Sequence, residues 1–325
     1  MEASLGGIKP EFLTIPSKPT APISYTFIPA SPNSKKSLVV FVNGLGLPAA
    51  SWIPGISLLK RHSAILTYDR FGQGLTTARD PLDGRQGVED GYGHDYEDVV
   101  NDLHEIILTV AKSKLGMGIA ALEAGDLRLV LVGASIGGPI TRLYVQKFPG
   151  TVAGLLILDS NICNVDYSVI LPDPNSPEVD PATLIAADCT LEQYIEHRKK
   201  LVAMFDLDVK NPEHLDRRTG AKLLPYSEAP KLQGVGGKGP LLCIVGHGPI
   251  AFAEQGFQRM GTPRSISMKF MNTYWAKYNQ ELLNISDCHL DEKVVIARGC
   301  GHFIQADNPA FVADILARML EKLES

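Results

Sequence analysis

The chain has 325 residues, a formal net charge of −5 at pH 7, 45% hydrophobic residues and 21% charged ones, the make-up of a globular protein with a large core. Acidic and basic residues are interspersed, so no electrostatic footprint for nucleic acid or an anionic membrane surface is expected. No apolar run reaches the about 18 residues of a membrane span, and the opening MEASLGGIKPEFLTIP has neither the basic start nor the apolar core of a secretory signal, so the expected location is cytoplasmic.

After a polar, Pro-rich start, Ile23 to Ile28 reads as an edge strand, and the β-branched run Ser37 to Val42 reads as a central parallel strand ending in Asn43-Gly44-Leu45-Gly46. A helix is predicted over Trp52 to Arg61, then the strand Ala64 to Tyr68 and the turn Asp69-Arg70-Phe71-Gly72-Gln73-Gly74. A long polar loop leads to a helix over about Tyr96 to Lys114. Next come the strand Leu127 to Val132, a helix from Pro139 to Phe148 and the buried strand Val152 to Leu158. From Ser160 to about Gly239 this alternation breaks into prolines, acidic residues and one polar amphipathic helix, LEQYIEHRKKLVAMF. The strand Leu241 to Val245 then resumes the pattern, Lys293 to Ala297 forms the last strand, and Pro309 to Leu323 closes the chain as a helix. Strands alternating with helices predict an α/β fold, a mostly parallel sheet flanked by helices on both faces. The five cysteines, Cys163, Cys189, Cys243, Cys288 and Cys300, are odd in number and lack CxxC or Cys/His spacing. Neither a disulfide framework nor a metal site is expected, and no motif calls for a cofactor.

The most informative segment is Gly133-Ala134-Ser135-Ile136-Gly137, which joins the strand at Leu127 to the helix at Pro139. A G-x-S-x-G turn between strand and helix holds its serine in a strained corner with the hydroxyl exposed, because small residues on either side let the backbone pass. Ser135 is therefore the candidate nucleophile. A serine hydroxyl needs a base, and His302, in the loop Gly299-Cys300-Gly301-His302 after the last strand, is positioned to reach the same sheet edge.

With these elements the chain resembles the α/β-hydrolase family over nearly its whole length, least over residues 160–239. The resemblance implies a core of residues 1–159 and 240–325 with a helical cap inserted at 160–239. It implies His302 as the base and a chain order of nucleophile, acid, histidine. The oxyanion hole would use the amides of Ile136, after the nucleophile, and Leu45, in the loop where the family has His-Gly-x-Gly and this chain has Asn43 instead. The acid stays open between two residues. Many family members carry it after the strand that is here Leu241 to Val245, but Gly246-His247-Gly248-Pro249 offers no carboxylate, and the nearest is Glu254. Members with the acid one strand earlier match Asp159, which ends the apolar run VAGLLILDS and needs a partner if buried. Asp159 is favoured, Glu254 is the alternative, and Asp287 and Asp291 rank below both. The D-x-x-G-x-G turn at Asp69 is read as structural.

The implied activity is that of a serine hydrolase cleaving an ester, thioester or lactone of a small hydrophobic molecule through an acyl-enzyme. A carbon–carbon bond hydrolase would use the same residues. A non-hydrolytic ligand-binding protein or lyase of the same fold is the second reading, favoured by Asn43 and by the missing carboxylate near Gly248. Apolar lining is offered by Leu184, Ile185, Tyr194, Leu201, Met204 and Phe205 of the insertion. Met268, Phe270, Met271, Tyr274 and Trp275 form a second apolar segment, within which Met271, Tyr274 and Trp275 are the candidate substrate contacts. No motif speaks to oligomeric state.

Overall fold

Runs of branched apolar residues have no water-facing side to spare, so they become the inner strands of a sheet covered on both faces. The computed structural model describes residues 9–32, 36–59 and 62–325. Its strands are β1 (Glu11–Ile15), β2 (Lys18–Ile28), β3 (Ser37–Val42), β4 (Ala64–Tyr68), β5 (His94–Asp95), β6 (Arg128–Ala134), β7 (Val152–Leu158), β8 (Leu215–Asp216), β9 (Leu241–His247) and β10 (Val295–Ala297). Eight of them form one sheet in the order β1-β2-β4-β3-β6-β7-β9-β10. From β4 to β10 every neighbouring pair is parallel, while β1–β2 and β2–β4 are antiparallel.

Alternation along the strands divides the core in two. Leu38, Val40, Leu66 and Leu131 face one way, against Val99, Leu103 and Ile106 of the helix Tyr96–Val110 and Ile140 and Tyr144 of the helix Gly137–Lys147. Val39, Phe41, Ile65 and Val132 face the other, with Trp52, Ile56 and, from the helix Pro309–Glu324, Val312 and Leu316.

Three local expectations are corrected. Ile23 to Ile28 is not an edge strand, because the preceding residues EFLTI fold back as β1 and cover it. That strand carries Phe12 largely exposed, so its sequence lacks the burial pattern that marks a strand. In place of a helix over Trp52 to Arg61 there is a 3-10 turn, Ala49–Trp52, and a single helical turn, Ile53–Ile56; Lys60 and Arg61 lie outside the described residues. The last strand begins at Val295, two residues later than predicted. The reading of the extreme N-terminus also falls outside the described residues as far as Ile8.

Residues 160–239 run between the adjacent strands β7 and β9. They hold the helices Tyr167–Ile170, Leu191–Phe205 and Gly220–Leu223, and the short strand β8. Thr190 and Gln193 form a reciprocal capping box at the start of Leu191–Phe205. β8 pairs in parallel with β5, His94 opposite Leu215, and so ties this segment to the loop before the helix Tyr96–Val110. All five cysteines are free. Among the described residues no helix is long and apolar enough to cross a membrane.

Candidate active site

Four neighbouring parallel strands end at one edge of the sheet, and each is followed at once by a polar residue: Asn43 after β3, Ser135 after β6 and Asp159 after β7, while β9 itself closes on His247. This is the edge where open α/β sheets place their sites. Ser135 has φ 54° and Asp159 φ 41°, the left-handed region that L-residues other than Asn and Asp seldom occupy. The serine's corner is possible because its neighbours lack side chains. A Cβ on Gly133 would lie 2.3 Å from the Gly137 carbonyl oxygen, and one on Gly137 would lie 2.3 Å from that of Val42. Ser135 N–H donates to the Leu158 carbonyl, and the Ser135 carbonyl accepts from Gly138 and Asn161.

His302 completes a line of three residues. Its Nε2 lies 2.9 Å from Ser135 Oγ and its Nδ1 2.6 Å from Asp159 Oδ2. Its backbone N–H donates to Gln255 Oε1 at 3.0 Å, which fixes the loop that carries it. Glu254 is elsewhere: it pairs with Arg264 at 2.6 Å and accepts from Gln258, because its polar helix side turns outward. Asp287 and Asp291 pair with Lys231 and Arg318. Asp159 is thus the carboxylate that His302 meets.

The fully buried Asp159 also meets a second imidazole. His247 Nδ1 is 2.8 Å from Oδ1 and 3.0 Å from Oδ2, and His247 Nε2 is 2.9 Å from Asn272 Oδ1. Asn272 Nδ2 donates to the Pro249 carbonyl at 3.0 Å, so the amide oxygen is the atom that faces His247. With acceptors on both sides, the geometry favours the doubly protonated ring, in which both nitrogens donate. Burial opposes this charge, but the Asp159 carboxylate outweighs burial and moves the His247 pKa up. For Asp159 burial alone would raise the pKa; His247 and then His302 reverse this and hold it well below the usual carboxylate value. The Phe252 ring stacks on His247 with centroids 4.0 Å apart.

Gly44 is the point where the Asn43 loop touches Ser135, since a Cβ there would lie 3.4 Å from Ser135 Cβ. The turn and loop hydrogen bonds leave the N–H groups of Leu45 and Ile136 unused among the described residues. Asn43 does support the loop. Its amide donates to the Tyr68 carbonyl and to Gln73 Oε1, and its oxygen accepts from Trp52 Nε1 at 2.6 Å. Arg70 donates to the carbonyls of Asn43 and Gly44 and forms a buried two-pronged pair with Glu213, at 2.7 and 3.1 Å. Glu213, from residues 160–239, also accepts from the Gly46 N–H at 2.5 Å. The turn after β4 therefore clamps the loop after β3. Gly74 lets that turn close, since any Cβ there would strike the Asp69 carboxylate.

A cavity of about 310 Å³ opens on Ser135 and His302, with Leu45 and Ile136 in its wall. Met271 and Trp275 line it, as does Phe205 at the end of the helix Leu191–Phe205. Tyr274 does not: one residue before Trp275, it is turned about 100° around the helix and packs beside the core. Leu184, Tyr194 and Leu201 are core, and Ile185, Met204 and Met268 face solvent. Trp275 is 2% exposed and donates to the Ser160 carbonyl at 3.1 Å.

Sequence reasoning singled out Ser135, Asp159, His302, Leu45 and Ile136, and these meet at one place. It gave no role to Asn272, Gln255 or Glu213, left His247 open, and read Arg70 only as part of a structural turn. For His247 there was a signal, a histidine standing where many relatives carry the acid; for Glu213, in the least regular part of the chain, there was none.

A model of the alpha/beta hydrolase family matches residues 39–315. None of the curated proteins compared matches the sequence. Among solved structures, the chain is similar to a soluble variant of monoglyceride lipase from Saccharomyces cerevisiae in complex with a substrate analogue. There the TM-score is 0.54 and the identity 16%, over 98% of this chain and 95% of that one. It is similar to a thermophilic esterase from Thermogutta terrifontis, with TM-score 0.53 and 14% identity over 98% of this chain and 100% of the other. A thermostable carboxyl esterase from Bacillus coagulans gives TM-score 0.53 and 13% identity over 97% of each chain. At these identities the likeness is one of fold.

Proposed function

The chain belongs to the α/β-hydrolase family, and from that premise we propose that it is a serine hydrolase acting on an ester, thioester or lactone of a small molecule. The observation that carries the reading is the relay in which one imidazole lies 2.9 Å from Ser135 Oγ and 2.6 Å from Asp159 Oδ2. Ser135 Oγ attacks the carbonyl carbon as His302 Nε2 takes its proton. The N–H groups of Leu45 and Ile136 receive the oxyanion, a contribution of about 10²–10³ in rate per donor in such sites. The intermediate collapses, His302 returns the proton to the departing oxygen or sulfur, and the acyl-enzyme forms. Water then repeats the sequence and frees Ser135. Asp159 holds the His302 tautomer and balances its charge in the transition state. Residues 160–239 act as a cap that supplies Phe205 to the pocket and Glu213 to the oxyanion loop. The lipases and esterases of like fold are in keeping with this chemistry.

The test is intact-mass analysis after exposure to a fluorophosphonate. The wild type is expected to gain one adduct, absent in Ser135→Ala and formed slowly in His302→Ala. A folded wild type that gains no adduct and turns over no ester overturns the reading.

A further inference from the structure

Resting on the hydrolase reading, we propose that the substrate carries, besides its ester, an anionic group that Arg217 receives inside the cavity. The cavity wall is apolar and aromatic over most of its area, with Tyr167, Phe205, Phe252 and Trp275. Its charged lining residues are Arg217 and Arg259, and no Asp or Glu belongs to it.

Arg217 follows β8 and is 6% exposed. Its terminal nitrogens donate to the carbonyls of Phe205, Asp206 and Val209, at 3.2, 2.7 and 3.1 Å. These lie at and beyond the carboxyl end of Leu191–Phe205, so the guanidinium also caps that helix. The three bonds leave the buried Nε–H without a partner. Among the described residues no carboxylate pairs with Arg217, whereas the equally buried Arg70 has Glu213. A buried guanidinium keeps a strong demand for a counter-charge when carbonyls alone surround it.

Arg259 comes to the cavity from the helix Pro249–Met260, exposed, its guanidinium 4.5 Å from the centroid of the Phe303 ring. It too pairs with no carboxylate among the described residues. Asp159, the carboxylate behind His302, is held by His302 and His247 and is not part of the cavity lining. An amphipathic anion fits both features: its apolar body lies on the aromatic wall and its charge meets the arginines.

Two pairs of esters, each matched in size, test this on the intact protein. Mono-4-nitrophenyl glutarate is compared with its methyl ester, which places the charge on the acyl side. 4-Acetoxybenzoate is compared with methyl 4-acetoxybenzoate, which places it on the alcohol side. In at least one pair the anionic member is expected to have the higher kcat/KM, by roughly tenfold to a hundredfold, the lower end of what a close charge pair supplies. Arg217→Gln is expected to bring that ratio down to near one. Arg259→Gln, at an exposed position, lowers it less and makes it less sensitive to salt. A wild-type ratio at or below one in both pairs, with the neutral esters hydrolysed in a Ser135-dependent way, overturns the inference and leaves the hydrolase reading intact. So does an unchanged ratio in a folded Arg217→Gln, which makes the residue a helix cap alone. Hydrolysis of none of the four esters by a protein that still forms the fluorophosphonate adduct overturns the inference alone, and the same result without an adduct overturns both.

Discussion

His247 Nδ1 lies 2.8 Å from Asp159 Oδ1, so the carboxylate that faces His302 is held at the same time by a second, buried imidazole. The two imidazoles take different oxygens closely, His302 at Oδ2 and His247 nearer Oδ1, and Asn272 fixes the far side of His247. A carboxylate at the end of β7 is thereby locked in orientation by a residue from β9. The end of β9 offers no carboxylate of its own and instead presents the imidazole that pairs with Asp159.

This pair sets a pH window for stability. The His247 pKa is raised above its ordinary 6.5, so its contribution is complete below that value and is lost as pH rises through the folded-state pKa. The Asp159 pKa is lowered from 3.8, so its contribution is present above that value and fades as pH falls further. Thermal unfolding of the wild type should therefore be most favourable to the fold between these two values and weaken on the alkaline side. In His247→Gln the alkaline decline should flatten, with a loss of about 3 kcal/mol at pH 6 from breaking a buried pair. An alkaline limb identical in the variant would remove His247 from the account.

Asp159→Asn should lower kcat by roughly 10⁴, because an amide can present its N–H to His302 and select the wrong tautomer. Glu254→Gln should leave kcat/KM unchanged within error. Steady-state kinetics on one 4-nitrophenyl ester decides between them, and the opposite pattern would transfer the role to Glu254.

Glu213→Gln leaves Arg70 buried beside a neutral amide and weakens the hold on Gly46. The expected cost is about 3 kcal/mol in stability by denaturant unfolding. Because the loop presents the Leu45 N–H, kcat should fall about tenfold or more while KM moves little. A variant that loses stability but keeps kcat would confine Glu213 to holding the fold.

Trp275→Ala should raise KM for a bulky acyl ester more than for an acetyl ester. The side chain lines the cavity, and its loss removes wall surface that only a large acyl group reaches. Its burial also predicts a stability loss of about 3–5 kcal/mol, so both esters are compared on the same preparation. Equal changes in KM would place Trp275 in the core alone.

The parts of the site readable in the sequence are those whose cause is local. The elbow declares itself because Gly133 and Gly137 must be bare for Ser135 to hold φ 54° between a strand and a helix. Asp159 stands out as a charge ending an apolar strand, and His302 as a histidine in a glycine loop after the last one. The polar frame around them was hidden because it is made of distant pairs: Arg70 with Glu213, and His247 with Asn272 and Asp159. Such pairs leave no periodicity, since each partner looks like an ordinary loop or strand-end residue until the chain closes. β1 was missed for a related reason: three of its five residues are exposed, and its pairing with β2 comes from backbone hydrogen bonds rather than from a hydrophobic pattern.

Glu213 reaches the Gly46 amide and Arg70 from a stretch of chain whose β8 is already hydrogen-bonded to β5. The segment 160–239 is consequently not an interchangeable module. Exchanging it for that of a relative, to change what the pocket admits, would also withdraw the strut beneath Leu45. On the proposed hydrolase reading, selectivity and catalytic rate are then inherited together in this chain, and a graft that keeps its rate has to bring a carboxylate to the Glu213 position.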